Sequence, residues 1–163
     1  MASEELKAVQ EFLRGLDLES LTIAERRKAT EPAASGPPAG TVVEPVEANG
    51  VPAEWVTAAG VGEGRVLLYL HGGGYQMGSP VTLRHVVARL SGVAQARALS
   101  VDYRLAPEHS FPAAVDDAVA AYRWLLAGGT DPATIAVAGD LPESDQAIER
   151  IGEWLQHRYP AVA

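Results

Sequence analysis

The feature that most restricts this chain is an apolar run, Val66-Leu67-Leu68-Tyr69-Leu70, that leads straight into His71-Gly72-Gly73-Gly74-Tyr75. A run with no polar alternation suits a central strand buried on both faces. Three successive glycines then remove every β-carbon from the loop at the strand's end. The backbone there can approach a ligand closely and point N–H groups at it. Converging N–H groups suit a developing oxyanion when they lie about 3 Å from where the charge appears. A tight turn needed only for packing is the competing explanation, and the triplet alone does not choose between them. A phosphate loop fits worse, because G-x-x-x-x-G-K-[ST] is absent and no lysine stands nearby.

The chain has 163 residues, 47% of them hydrophobic, with a mean hydropathy of +0.01. That length implies one domain with a packed core. There is no cysteine, which excludes a disulfide scaffold, a thiolate nucleophile and any Cys-ligated zinc or iron–sulfur site. Thirteen basic and 21 acidic residues give a net charge of −8, a poor match for nucleic acid or an anionic membrane surface. No stretch reaches the about 18 apolar residues of a membrane span. The opening MASEELKAVQ lacks the basic-then-apolar pattern of a signal peptide. A cytoplasmic protein without membrane or nucleic-acid partners is expected. The 4 histidines are scattered, without an H-E-x-x-H pair, so neither metal nor cofactor is expected.

Leu6, Val9, Phe12, Leu13 and Leu16 recur at a helical period over residues 4–16, and Thr22 with Glu25 forms a capping box for a second short helix. Residues 31–40, EPAASGPPAG, read as a linker. Residues 41–48 and 51–58 read as strands around Asn49-Gly50, a strong hairpin signal. A helix over 80–91, a buried strand over Ala96–Val101, a helix over 112–126 and a short strand Ile135–Ala138 follow. In helix 112–126 Pro112 is expected in the first turn, with Val115, Ala118, Val119, Tyr122, Leu125 and Leu126 as the apolar stripe. The order hairpin, strand, helix, strand, helix, strand is that of an α/β fold, a mostly parallel sheet flanked by helices. Pro142–Ala163 reads as one amphipathic helix with Ile148, Ile151, Trp154 and Leu155 inward.

His71-Gly72-Gly73-Gly74 combines with Asp102-Tyr103-Arg104-Leu105-Ala106-Pro107-Glu108, Phe111-Pro112-Ala113-Ala114 and Ala138-Gly139-Asp140. Together these motifs resemble the hormone-sensitive-lipase-like branch of the α/β-hydrolase esterases, over essentially residues 1–140. The resemblance implies hydrolysis of short-acyl carboxylic esters by serine acyl transfer, without metal or cofactor. It implies that the amides of Gly73 and Gly74 form most of an oxyanion hole, and that residues 1–30 are a helical cap segment over the acyl pocket. Residues 41–140 would be the N-terminal half of the hydrolase core, and 141–163 would resemble the final helix of the same fold.

The resemblance breaks between Asp140 and Leu141. Gly139-Asp140 should open a Gly-Asp-Ser-Ala-Gly nucleophile elbow, whereas the chain reads Gly139-Asp140-Leu141-Pro142-Glu143. Leucine carries no nucleophilic atom, and no G-x-S-x-G occurs anywhere. The fold is therefore expected to be an incomplete, internally deleted α/β-hydrolase. Nucleophile, acid and histidine are all missing, and the chain is expected to be inactive. The alternative is a non-catalytic module that binds a ligand or partner on half a hydrolase fold. Loss of the later strands would leave Ile135–Ala138 as an unprotected edge and a route to self-association.

Residues that could rebuild a triad do not come together. In a helix Ser144 and His157 stand roughly 20 Å apart, against the about 3 Å that proton transfer requires. Ser144, beside Asp145, is then a first-turn polar residue and His157 a solvated helix-end residue. His71 is expected to orient the glycine loop through a ring hydrogen bond. Asp102 and Arg104 read as a structural pair or backbone anchors at a strand end, and His109 as a loop-packing residue. Asp140 has no defined role without its elbow. Asp116 and Asp117, early in their helix, need no role beyond the helix dipole.

Overall fold

The computed structural model describes Gly15, residues 20–31 and residues 36–139. The expected helices over 4–16 and 141–163 lie outside the described residues, as do Asp140, Ser144, Asp145 and His157.

Helix α1, Ile23–Thr30, begins at the expected capping box. The Glu25 N–H donates to Thr22 Oγ1, and the Glu25 carboxylate accepts from the Thr22 N–H at 2.8 Å. Strands β1, Val42–Ala48, and β2, Val51–Thr57, form the expected antiparallel hairpin. Its turn residues Asn49 and Gly50 have φ of 54° and 83°, the left-handed geometry that Asn-Gly supplies most readily.

Strand β3 is Val66–Leu70, and all five residues are buried. Helix α2, Pro80–Ala94, and strand β4, Arg97–Val101, come next. Helix α3, Ala113–Ala127, a 3₁₀ turn over Pro132–Thr134, and strand β5, Ile135–Gly139, complete the described chain. The five strands form one sheet in the order β1-β2-β4-β3-β5. β3 runs parallel to both β4 and β5, while β2 joins β4 antiparallel. The core is thus parallel, with an antiparallel hairpin at one end.

Alternation along β3 explains why the whole strand is apolar. Leu68 and Leu70 pack toward α3 in a cluster with Leu99, Val101, Val115, Ala118, Tyr122 and Leu125. Leu67 and Tyr69 point to the opposite face and pack with Val87 and Ala88 of α2. Each fully buried Leu or Val contributes about 1.5–3 kcal/mol. β3 feeds α2 on one face and β4 feeds α3 on the other, so the loops leaving the two adjacent strands stand side by side. Ligand clefts of open parallel sheets form beyond the carboxyl ends of the strands. The glycine loop and the loop after Val101 both stand there.

Boundaries differ from expectation by one to three residues: α2 runs on to Ala94, past the expected end at 91, and α3 starts one residue late. Pro112 occupies the N-cap of α3, with no side-chain capping bond, and Ala113 opens the helix. The Asp116 N–H already bonds the Pro112 carbonyl at 2.9 Å, so the proline supplies an acceptor and lacks only the side chain of a good cap.

Candidate active site

The glycine loop starts on His71, which continues the line of β3 and is 1% exposed. Its ring stacks on Tyr103, centroids 4.2 Å apart and planes 11° from parallel. Nδ1 lies 2.9 Å from the Gly72 carbonyl, and the Tyr103 hydroxyl donates to the His71 carbonyl. A carbonyl only accepts, so Nδ1 carries the hydrogen and Nε2 is the bare acceptor. Nε2 is buried and has no hydrogen-bond partner among the described residues. Burial holds the His71 pKa below the ordinary 6.5, with the Gly72 bond and the Asp102 charge opposing. The ring is therefore neutral at pH 7.

The loop then turns through three left-handed residues, Gly73 at φ 128°, Gly74 at 63° and Tyr75 at 56°. A β-carbon on Gly73 would collide with the Met77 carbonyl. Tyr75 holds its positive φ at a cost of order 1 kcal/mol, tolerated where the surroundings fix the backbone. The Gln76 and Met77 N–H groups both donate to the Gly73 carbonyl, at 3.1 and 2.9 Å. Gly73 and Gly74 are exposed, and neither N–H is taken by a backbone carbonyl among the described residues. Gly78 closes the loop at φ 87°, and a β-carbon there would lie 2.6 Å from His71 Nδ1.

Beside Gly74 a cavity of about 240 Å³ is walled by Tyr75, Ala106, Phe111 and Val115, with Arg104 and His109 among its lining. His109, expected only to pack its loop, is exposed and borders this cavity. Phe111 is 76% exposed. The walls are mainly apolar, and the free loop amides stand at one side.

One expected pairing and one expected role are corrected. Arg104 does not pair with Asp102 but with Asp117, which sequence gave no role. Asp117 Oδ1 accepts from Nη2 at 2.7 Å, and Oδ2 accepts from both Nε and the Arg104 backbone N–H at 2.9 Å. Asp117 is buried, and its bonds and charge raise the Arg104 pKa further. The helix turns Asp117 inward toward the loop, which one residue of rotation denies to Asp116. Asp102 is anchored by its backbone, its N–H donating to the Pro52 carbonyl at 2.9 Å.

Arg27 of α1, which the sequence did not single out, reaches the same place. Its Nε donates to the Gln76 carbonyl at 2.7 Å and its Nη2 to the Ala106 carbonyl at 2.6 Å. The guanidinium also forks onto Glu108 at 3.0 and 3.1 Å, holding that carboxyl below its usual range. No spacing signal could reveal contacts this distant in the chain. Among the described residues no group of three acidic, histidine or cysteine side chains is placed to hold a metal ion.

A parallel β-α-β core with an amide-lined glycine loop at its strand ends is the scaffold of an α/β-hydrolase. A family profile described as the alpha/beta hydrolase fold matches residues 67–141. An acetyl-hydrolase of Streptomyces hygroscopicus is 44% identical over 154 residues, covering 91% of this chain and 50% of that protein. The carboxylesterase/phospholipase LipF of Mycobacterium tuberculosis is 45% identical over 108 residues, covering 64% of this chain and 29% of that protein. Among solved structures, an esterase from the bacterial hormone-sensitive lipase family superposes with a TM-score of 0.81 at 38% identity, covering 98% of this chain and 54% of that one. An esterase/lipase from an uncultured bacterium gives 0.81 at 40% identity, covering 96% and 54%. The chain belongs to the hormone-sensitive-lipase-like branch of the α/β-hydrolase esterases. It spans about half the length of the curated relatives it matches. No helix among the described residues is long and apolar enough to cross a membrane.

Proposed function

We propose that this chain carries half of a carboxylic ester hydrolase site, specific for short-acyl esters in its parent design, and does not itself hydrolyse esters. The observation that carries the reading is a contrast at one end of the sheet. Gly73 and Gly74 offer exposed N–H groups, while the sequence after Gly139-Asp140 continues with Leu141. In serine acyl transfer an Oγ attacks the ester carbonyl, a histidine takes its proton, and amide donors hold the oxyanion. The two glycine amides are suited to the last task, with His71 orienting their loop. Leu141 has no oxygen to attack with, and the third donor, the amide after the nucleophile, is lost with the elbow.

On this reading residues 1–30 form the cap segment, 31–40 the linker, 41–140 the N-terminal half of the core and 141–163 the terminal helix, joined where an internal segment is missing. The nucleotide sequence across codons 140 and 141, with the intact mass of the expressed protein, tests the junction. A parental reading frame that encodes the intervening segment would make the junction an artefact. A cytoplasmic location belongs to the same proposal and rests on the sequence expectation. Recovery in the membrane pellet would overturn it.

The assay is turnover of short-chain aryl esters by the purified chain. Oxyanion and binding effects alone leave about 10³–10⁴-fold over water in an otherwise intact site. Here a donor is also missing, so the rate should equal the buffer rate. Hydrolysis that disappears in Ser144→Ala would overturn the reading. The cavity of about 240 Å³ beside Gly74 favours the alternative of a non-catalytic binding module. Saturable binding of a short-acyl ester without turnover would select it.

A further inference from the structure

We propose that Arg27 is a positioning residue for the glycine loop, so that α1 sets the geometry of the Gly73 and Gly74 amides. The inference rests on the reading of those amides as the anion-facing part of the site. Arg27 touches two adjoining turns: Gln76 in one, Ala106 and Glu108 in the other. Gln76 is held on both sides, its N–H donating to the Gly73 carbonyl and its C=O accepting from Arg27 Nε. The two turns also share a direct bond, the Ala106 N–H donating to the Tyr75 carbonyl at 2.7 Å. Arg27 adds a second tie, from Gln76, one residue further along the glycine loop, to the carbonyl of the same Ala106. Directly before these ties stand Gly73, Gly74 and Tyr75, all left-handed, a stretch that needs outside restraint to stay in one conformation.

The residue type fits the task. A guanidinium presents its N–H groups in one rigid plane, so a single side chain can meet two carbonyls and a carboxylate at fixed angles. A lysine has one nitrogen and cannot span Gln76, Ala106 and Glu108 together. The Arg27 side chain is 22% exposed, so its contacts are partly shielded from water. Glu108 balances the charge, leaving the two carbonyl bonds to define position.

An arginine that only fastened α1 to the core would leave the loop unchanged when removed. The test is amide hydrogen exchange on the full chain, comparing residues 72–78 with strands β3 and β4. Losing one charge-assisted bond per turn should raise exchange of the Gln76 and Met77 amides about tenfold in Arg27→Met, and less than about twofold in β3 and β4. Arg27→Lys should recover only part of the protection. Added ethylguanidinium should restore it in Arg27→Gly, which a general loss of stability would not allow. Glu108→Gln changes an exposed side chain and should raise the same two amides about threefold. Exchange that rises uniformly, stays unchanged at Gln76 and Met77 in Glu108→Gln, or ignores ethylguanidinium would overturn the proposal. None of these readouts depends on ester hydrolysis.

Discussion

Asp117 Oδ2 accepts hydrogen bonds from both the backbone N–H and the guanidinium Nε of Arg104, each at 2.9 Å. One buried carboxylate on α3 thereby fixes the main chain of the loop that leaves β4 and the side chain that borders the cavity. The two partners are unequal, because Asp117 is buried and Arg104 half exposed.

That inequality predicts an asymmetric mutational response. Arg104→Met leaves a buried carboxylate without its counter-charge and should be the costlier of the two changes. Asp117→Asn keeps an acceptor and leaves an arginine that water can reach, so it should cost about 1 kcal/mol. Urea midpoints of the two variants check the order. Equal losses would contradict it.

Gly78→Ala should be poorly tolerated. The new β-carbon meets His71 Nδ1 at 2.6 Å on a backbone with φ of 87°. Overpacking and left-handed strain each cost about 1–3 kcal/mol. His71 ring resonances should shift with the loss of stability, while Gly74→Ala, with open space around it, should leave them in place.

Stability should fall as pH drops below the unfolded-state value of His71, near 6.5. The buried ring resists protonation, so the unfolded chain takes up more protons below that value, down to the lowered native pKa. Glu25 and Glu108, both held low by their hydrogen bonds, add a smaller loss as pH falls further through their native values. Asp102, raised by burial, acts with the opposite sign in acid. Thermal midpoints of the parent and His71→Gln between pH 7 and 5 check this. The His71 contribution to the slope should vanish in the variant.

The sheet's two ends predict different surface behaviour. β1 carries Glu44, Pro45 and Glu47, which discourage strand pairing. β5 reads Ile135-Ala-Val-Ala-Gly139 and pairs with β3 alone among the described residues. Self-association through β5 should be reduced by Ala136→Lys. Light-scattering mass at two concentrations should move toward 17.2 kDa. An identical mass for parent and variant would exclude this edge.

Locally encoded features were readable in the sequence. Asn49-Gly50 carries its own turn geometry, Thr22-x-x-Glu25 its own cap, and the apolar run 66–70 its own burial. Arg104 and Arg27 were not readable in the same way. Their partners depend on how α3 and α1 dock, and Asp117 differs from Asp116 only by the face it presents. The glycine triplet marked the loop, but the left-handed Tyr75 and the His71 ring against Gly78 emerge only when the loop closes in space.

The most direct test of the central claim, a folded glycine loop without a nucleophile, is intact-protein mass after treatment with an organophosphonate serine probe. The account predicts that the mass stays at 17.2 kDa, with no adduct at any probe concentration. A stoichiometric adduct on a serine of this chain would contradict it.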